Sequence, residues 1–158
     1  MKKLSLVILV ITIAASSFAQ TSSMEITTVK KIETDEVVTS LKVYNNVEVI
    51  LTDDSTEGIQ IAGEKQDVEN VHLKISNGVL TITSTSGELS KDKVAVFIPS
   101  KNLGRVYIHG SSIISSMDIL SNKMLDVTIN GEGVSQIKTT GGLNVNTVGD
   151  FPIELAGK

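Results

Sequence analysis

Cysteine is missing from this chain of 158 residues. Its absence excludes the disulfide framework that stabilises many small extracellular domains, and it also excludes a lipid anchor on a cysteine. A chain of this length can bury one hydrophobic core without such cross-links. We therefore expect a single domain that is held together by packing alone.

Basic residues and prolines are also scarce. Arg105 is the only arginine, and 14 basic residues stand against 18 acidic ones. No stretch concentrates positive charge, which disfavours nucleic-acid binding and attraction to an anionic membrane. Because there are only two prolines, the turns must be made by glycine, asparagine, aspartate and serine.

Long hydrophobic runs are absent as well. The run Leu4–Ala15 has 15−4+1 = 12 residues, whereas a membrane-spanning helix needs about 20. Lys2 and Lys3 precede this run, and Ser17 and Ala19 supply the small residues of a cleavage site. This pattern predicts a signal peptide over residues 1–19. We expect an exported protein in the periplasm, at the outer surface or outside the cell, with no membrane span in the mature chain.

The rest of the chain alternates apolar and polar residues in short runs, which is typical of β-strands. Residues 20–40 are polar and predict a flexible lead-in, so residues 41–158 form the predicted domain. Asn77–Gly78 lies between two alternating runs and predicts a β-hairpin. Met117 and Ile119 indicate a short strand. No helical period extends beyond one possible turn at Gln66–Asn70.

Three later segments each run from an alternating strand into a glycine. Aligned on Gly110, Gly131 and Gly149, they are 131−110 = 21 and 149−131 = 18 residues apart. Such repeats indicate stacked β units that share one core, with glycine at corners where φ is positive. The pattern favours a β-solenoid, with antiparallel hairpin pairing near the N-terminal end. A β-sandwich is the alternative fold.

The same segments carry a family resemblance. The runs "VYNNVEVIL", "NGVLTIT", "VAVFIPSKNLGRVYIHGSS", "LDVTINGEGVSQI" and "LNVNTVGD" resemble the bacterial secreted domain called "putative auto-transporter adhesin, head GIN domain", from about Val43 to the C-terminus. The resemblance implies a right-handed single-stranded β-helix outside the cytoplasm and carries no catalytic residues. Because family members commonly continue through further coils, the chain is either a short member or truncated at its C-terminus.

Reactive constellations are weak in this sequence. Asp53, Asp54 and Glu57 provide oxygens for calcium, but their spacing lacks the EF-hand pattern, so a solvated turn is the favoured interpretation. His72 and His109 lie far apart and are expected to face solvent rather than to bind a metal. We predict no catalytic residues, no cofactor and no metal.

The sequence offers one candidate binding surface, made of Phe97, Arg105, Tyr107 and His109. These residues fall opposite the aliphatic positions of their strands, so we expect exposed side chains. The favoured function is a non-enzymatic, adhesin-like surface domain that contacts protein or glycan at the cell surface. Alternatives are a polysaccharide-binding or polysaccharide-active protein, for which Arg105 needs two neighbouring carboxylates, and a structural module that self-associates through its C-terminal coil.

Overall fold

The computed structural model describes residues 9–11, 27–54, 58–85, 93–131, 135–148 and 154–155, and their regular structure is almost entirely β. Branched and aromatic side chains favour this backbone because they pack well on a pleated surface. The helix of the described part, α1, is Lys65–Glu69. The strands are β1 Leu9–Ile11, β2 Thr27–Ile32, β3 Ser40–Tyr44, β4 Val47–Thr52, β5 Ile59–Glu64, β6 Val71–Ser76, β7 Val79–Ser84, β8 Val94–Pro99, β9 Arg105–His109, β10 Ile113–Ser116, β11 Met124–Asn130, β12 Ser135–Ile137, β13 Gly142–Val148 and β14 Glu154–Leu155.

The strands form two mixed sheets. One sheet has eight strands in the order β1-β2-β5-β8-β4-β10-β12-β14, and the other has six in the order β13-β11-β9-β3-β7-β6. β1 lies within the predicted signal peptide and β2 within the predicted lead-in, and these two strands pair antiparallel. Among the described residues, no helix is long and apolar enough to cross a membrane.

The prediction of a right-handed single-stranded β-helix, or β-solenoid, is wrong. A β-helix stacks parallel strands only, but here β5 runs antiparallel to both β2 and β8, and β6 runs antiparallel to β7. The two sheets enclose one core, as in the alternative that the sequence left open, a β-sandwich. The antiparallel hairpin near the N-terminal end is present.

The core lies between the sheets and is built from alternate residues of each strand. Val43, Ile108 and Val127 face it from the six-stranded sheet, and Val49 and Ile61 from the other; each is at most 1 % exposed. Successive side chains of a strand point to opposite faces, so the residues between these positions form the two outer faces. The outer faces are therefore where a ligand can meet polar and aromatic side chains.

One corner of the fold explains the glycine repeat. Asn130 pairs with His109 on one side and with Val148 on the other, which gives steps of 130−109 = 21 and 148−130 = 18 residues. Gly110 and Gly131 follow directly on these strands and have φ of 80° and 150°, as the repeat predicted. Gly149 lies outside the described residues.

The hairpin turn also follows its sequence signal. Asn77 and Gly78 have φ of 52° and 73°, the pair of positive values that a two-residue hairpin turn requires. β6 and β7 then pair antiparallel, with Ser76 opposite Val79. This turn makes β6 the last strand of the six-stranded sheet in the described structure.

A buried polar corner joins the two sheets near the ends of β8 and β10. The side-chain amide of Asn122 donates hydrogen bonds to the carbonyl oxygens of Ser100, at 2.6 Å, and Leu103, at 2.8 Å. Asn122 is only 4 % exposed and Ser100 is fully buried. Since buried backbone groups must be paired, this one amide satisfies two carbonyls at a place where the chain leaves one sheet for the other.

Candidate ligand-binding face

Three of the four predicted surface residues lie side by side on one strand. Arg105, Tyr107 and His109 alternate along β9 with the buried Val106 and Ile108. They therefore share the outer face of the six-stranded sheet. Arg105 and His109 are exposed and Tyr107 is half-buried, so all three side chains are available at the surface.

A fourth ring joins them from the neighbouring strand. Tyr44 of β3 lies directly opposite His109 of β9. Its ring centroid is 5.9 Å from that of His109 and 6.3 Å from that of Tyr107, and the Tyr107 and His109 rings are nearly parallel, at 7° and 6.3 Å. These separations are typical of interacting aromatic pairs. Tyr44, Tyr107 and His109 are called the ring cluster below.

Polar side chains continue the same face beyond the ring cluster. The amide of Asn130 on β11 lies 3.5 Å from the Tyr107 hydroxyl. Further out, the side-chain amide of Asn144 donates a hydrogen bond of 2.8 Å to the carboxylate of Asp126. Both strands hold these residues in parallel register with β9, so amides and a carboxylate are set out in rows beside the rings.

Cations border the ring cluster on two sides. Lys42 of β3 is the cross-strand neighbour of Tyr107. Arg105 is two residues before Tyr107 on β9, so it is the adjacent residue on the same face. Both cations are exposed. The cross-strand neighbours of Arg105 are Asp126 and Ser40, so strand pairing provides one acidic neighbour, whose carboxylate accepts a hydrogen bond from Asn144. The polysaccharide-active alternative requires two carboxylates near Arg105.

Phe97 lies elsewhere. It is on β8 in the eight-stranded sheet, where it is half-buried and lies opposite Ile50 and Gln60. Its side chain points away from the core, as its position in the strand predicted, but that is the outer face of the other sheet. The structure therefore does not bring Phe97 together with Arg105, Tyr107 and His109.

The two histidines are both exposed, as expected. They lie in one row across the six-stranded sheet, where His109 pairs with Tyr44, Tyr44 with Thr83, and Thr83 with His72. Three strand spacings separate them, roughly 14 Å. Residues that far apart cannot bind the same metal ion, and the described residues contain no group of three or more potential metal ligands.

The acidic turn after β4 is a link between loops. The Asp53 carboxylate accepts hydrogen bonds from the backbone amide of Ser121, at 2.9 Å, and from its hydroxyl, at 2.7 Å. These two hydrogen bonds lower the pKa of Asp53, with a smaller contribution from Lys101. Asp54 is exposed, and Glu57 lies outside the described residues. The turn interpretation accounts for Asp53.

The serines near β9 serve the same corner as Gly110. Ser112 is fully buried, accepts a hydrogen bond from the Val47 amide at 3.3 Å and donates one to the Asn45 carbonyl oxygen. Beside it, the Lys93 ammonium donates to the side-chain carbonyl of Asn46 at 2.7 Å and to the Ser111 carbonyl oxygen. Burial lowers the pKa of Lys93, and the negative charge of Glu48 opposes that shift.

Comparison with known proteins places the fold in a family. Residues 38–158 match the model of the family described as "Putative auto-transporter adhesin, head GIN domain", a span of 158−38+1 = 121 residues. The chain belongs to this family. The match includes the whole ring cluster and the glycine repeat, as the sequence resemblance predicted.

Solved structures share the fold of this head GIN domain. A "putative adhesin" from Parabacteroides merdae aligns with a TM-score of 0.63 and 18% identity over 82% of this chain and 55% of its own. One from Parabacteroides distasonis has a TM-score of 0.64, 17% identity and coverage of 82% and 56%. A "putative lipid binding protein" from the same species has a TM-score of 0.58, 11% identity and coverage of 82% and 59%.

The head GIN domain of this chain thus spans little more than half the length of those structures. Among curated proteins, no relative was found. At these identities the likeness concerns the fold alone. The sequence did not identify Tyr44 as a member of the ring cluster. Its one sequence signal is that it follows the inward Val43 in an alternating strand, which places its side chain on the outer face.

Proposed function

We propose that this protein is an exported, non-enzymatic adhesin-like domain, and that its ring cluster binds a glycan at the cell surface. The observation that carries this proposal is the set of three rings, Tyr44, Tyr107 and His109, with centroids 5.9–6.3 Å apart on an open sheet face. Rings expose broad apolar faces with polar edges, and these suit the apolar side of a pyranose ring and its hydroxyl groups.

The surroundings of the rings support a polar, extended ligand. Asn130 and Asn144 present amides, and Thr128 presents a hydroxyl, on the same face of β11 and β13. Arg105 and Lys42 add positive charge, and a guanidinium pairs well with a carboxylate. A glycan with uronic or other acidic sugars therefore fits the face better than a neutral one.

Family membership and the leader-like first residues support action at a surface. The family description and those of two similar structures carry the words "putative auto-transporter adhesin" and "putative adhesin", and the first residues have the pattern of a signal peptide over 1–19. We propose that residues 20–40 follow this leader and enter the domain through β2, which pairs with β5. Among its described residues this face carries one acid, Asp126, whereas hydrolysis of a glycosidic bond commonly uses a pair of acids, so we favour binding over cleavage.

The test is a glycan array with the purified protein and two variants, Tyr44→Ala and Tyr107→Ala. We expect binding to acidic glycans that falls by roughly tenfold or more in each variant, because each removes a ring of the cluster. Phe97→Ala is the matched control, since it removes a half-buried ring from the outer face of the other sheet. Glycan binding that Phe97→Ala weakens as much as Tyr107→Ala contradicts the proposal, as does binding to protein partners alone.

A further inference from the structure

A groove at one side of the sandwich lies apart from the ring cluster. It has a volume of about 230 Å³ and runs between β2, at its C-terminal end, and β6. Its apolar lining comes from Ile32 on one side and from Val71, Leu73 and Ile75 on the other. Leu73 and Ile75 are only partly buried against the core, so apolar surface is open to a ligand.

The polar part of the lining comes from Lys30, Glu33, Thr34 and His72, and the first of these lies at a core-facing position of its strand. Lys30 is two residues before the buried Ile32, so both side chains point to the core side of β2. In the sheet, Lys30 lies between Val10 of β1 and Ile61 of β5. Ile61 is fully buried and pairs in turn with the fully buried Val96. Lys30 therefore occupies the row in which the next two strands place aliphatic core residues.

The ammonium group of Lys30 has no hydrogen-bond or ion-pair partner among the described residues. Glu33 also lines the groove, but its carboxylate lies 3.8 Å from the ammonium of Lys31. Lys31 is on the opposite, outer face of β2. A lysine stem that packs on apolar residues beside an open groove leaves its charge free to meet an anion there.

We propose that this groove binds a small anionic amphiphile, a carboxylate on an unbranched alkyl chain, with the chain along Leu73 and Ile75 and the carboxylate at Lys30. Pockets for drug-sized ligands have volumes of about 300–1,000 Å³, so the groove at about 230 Å³ suits a short chain. Lys30, which has no ionic partner among the described residues, lies beside the apolar part of the lining, and it supplies a positive charge for which a neutral alkane or a sugar has no complementary group.

The test compares octanoate, octanol and acetate, each below the concentration at which it self-associates, by calorimetry and methyl NMR. We expect octanoate to shift the methyl signals of Leu73 and Ile75 and to bind roughly tenfold or more tightly than octanol, because only octanoate makes a charge-assisted hydrogen bond. Acetate is expected to bind too weakly to detect. Equal affinity for octanoate and octanol, or no shift at these methyls, overturns the proposal.

Variants separate a binding role from a protective one. Lys30→Met keeps the stem and removes the charge, so we expect it to bind octanoate and octanol equally. Lys31→Met is the matched control on the outer face and should keep the preference for octanoate. Inward lysines can also protect sheets from aggregation. If octanoate binds neither the unmodified protein nor Lys30→Met, and Lys30→Met aggregates, then Lys30 protects the sheet and does not bind a ligand. Ile75→Gln should weaken the binding of both octanoate and octanol, which provides a second test if Lys30→Met does not fold.

Discussion

At the scale of single residues, Gly131 is a position where both the backbone angle and the space around it exclude a side chain. Its φ is 150°, and a Cβ atom added there would lie 2.0 Å from the carbonyl oxygen of Gly110 on the neighbouring corner. Backbone in this region and a clash with main-chain atoms each cost of the order of 1–3 kcal/mol. We expect Gly131→Ala to lower the free energy of unfolding by about 2 kcal/mol or more, measured by urea denaturation.

Gly104 provides the matched control for this prediction. Its φ is not in the positive region, and the nearest atom to an added Cβ is the Thr39 carbonyl oxygen at 3.9 Å, an ordinary contact. Gly104→Ala should therefore leave the urea midpoint nearly unchanged. A midpoint for Gly131→Ala equal to that of Gly104→Ala would mean that the two corners do not approach each other as the structure shows.

The candidate site shows what alternation can predict and where it stops. Arg105, Tyr107 and His109 follow one another at every second position, so their common face could be predicted from the sequence. Tyr44 is 109−44 = 65 residues from His109, and only the pairing of β3 with β9 brings them together. Phe97 has the same outward pattern but lies in the other sheet, because alternation assigns a side chain to a face and does not identify the sheet.

At the scale of elements, the connection from β10 to β11 depends on one buried amide. Asn122 hydrogen-bonds the carbonyl oxygens of Ser100 and Leu103, in the connection from β8 to β9. Removing the amide leaves two buried carbonyls without this donor. We expect Asn122→Ala to reduce the free energy of unfolding by about 2 kcal/mol, measured by denaturation with an unchanged dependence on denaturant.

Asn102 serves as the control for Asn122. It is exposed in the turn between Ser100 and Leu103. Asn102→Ala therefore removes an amide of the same type from the same region without taking a hydrogen-bond donor from a buried carbonyl. Its effect should stay within about 0.5 kcal/mol, as for most surface substitutions. If both variants lower the free energy of unfolding by the same amount, the buried hydrogen bonds of Asn122 do not stabilise the connection from β10 to β11.

Strands were predictable where turn chemistry and aliphatic alternation agree. Asn77–Gly78 marks its hairpin because only a few residue types adopt two successive positive φ values. β10, Ile113–Ser116, has serines that suggest a turn, and the strand was instead expected at Met117 and Ile119. Those two side chains are 61% and 62% exposed. β10 is held in place by its pairing with β4, a long-range contact that its own residues do not indicate.

At the scale of the whole molecule, the repeat predicted pairing correctly and architecture wrongly. The steps of 21 and 18 residues equal the sequence separation of paired residues in β9, β11 and β13. They therefore describe three neighbouring strands and not the whole fold. The eight-stranded sheet becomes mixed because β5 enters between β2 and β8 in antiparallel orientation, and the six-stranded sheet because β6 runs antiparallel to β7. The choice of neighbours for β5 depends on core packing across the whole molecule, so a pattern confined to the later strands could not reveal it.

The same register leaves one side of the six-stranded sheet open. Along its length β13 pairs with β11, and no other strand among the described residues pairs with it. Its inward residues, Leu143 and Val145, are only partly buried against the core. A strand that has a partner on one side only within the described part of the chain, and whose aliphatic side chains are partly accessible, is a template for another strand. We propose that β13 is where copies of this chain associate.

This proposal predicts self-association that depends on β13. Light scattering across a wide range of protein concentration should show a rising average mass, and Val145→Lys should reduce that rise, because a charge at the strand edge opposes pairing. Val37→Lys is the control, as Val37 is already 60% exposed in a loop, and thermal midpoints establish that both variants fold. A strict monomer at every concentration, or equal association of the two variants, would show that the open strand is not an interface.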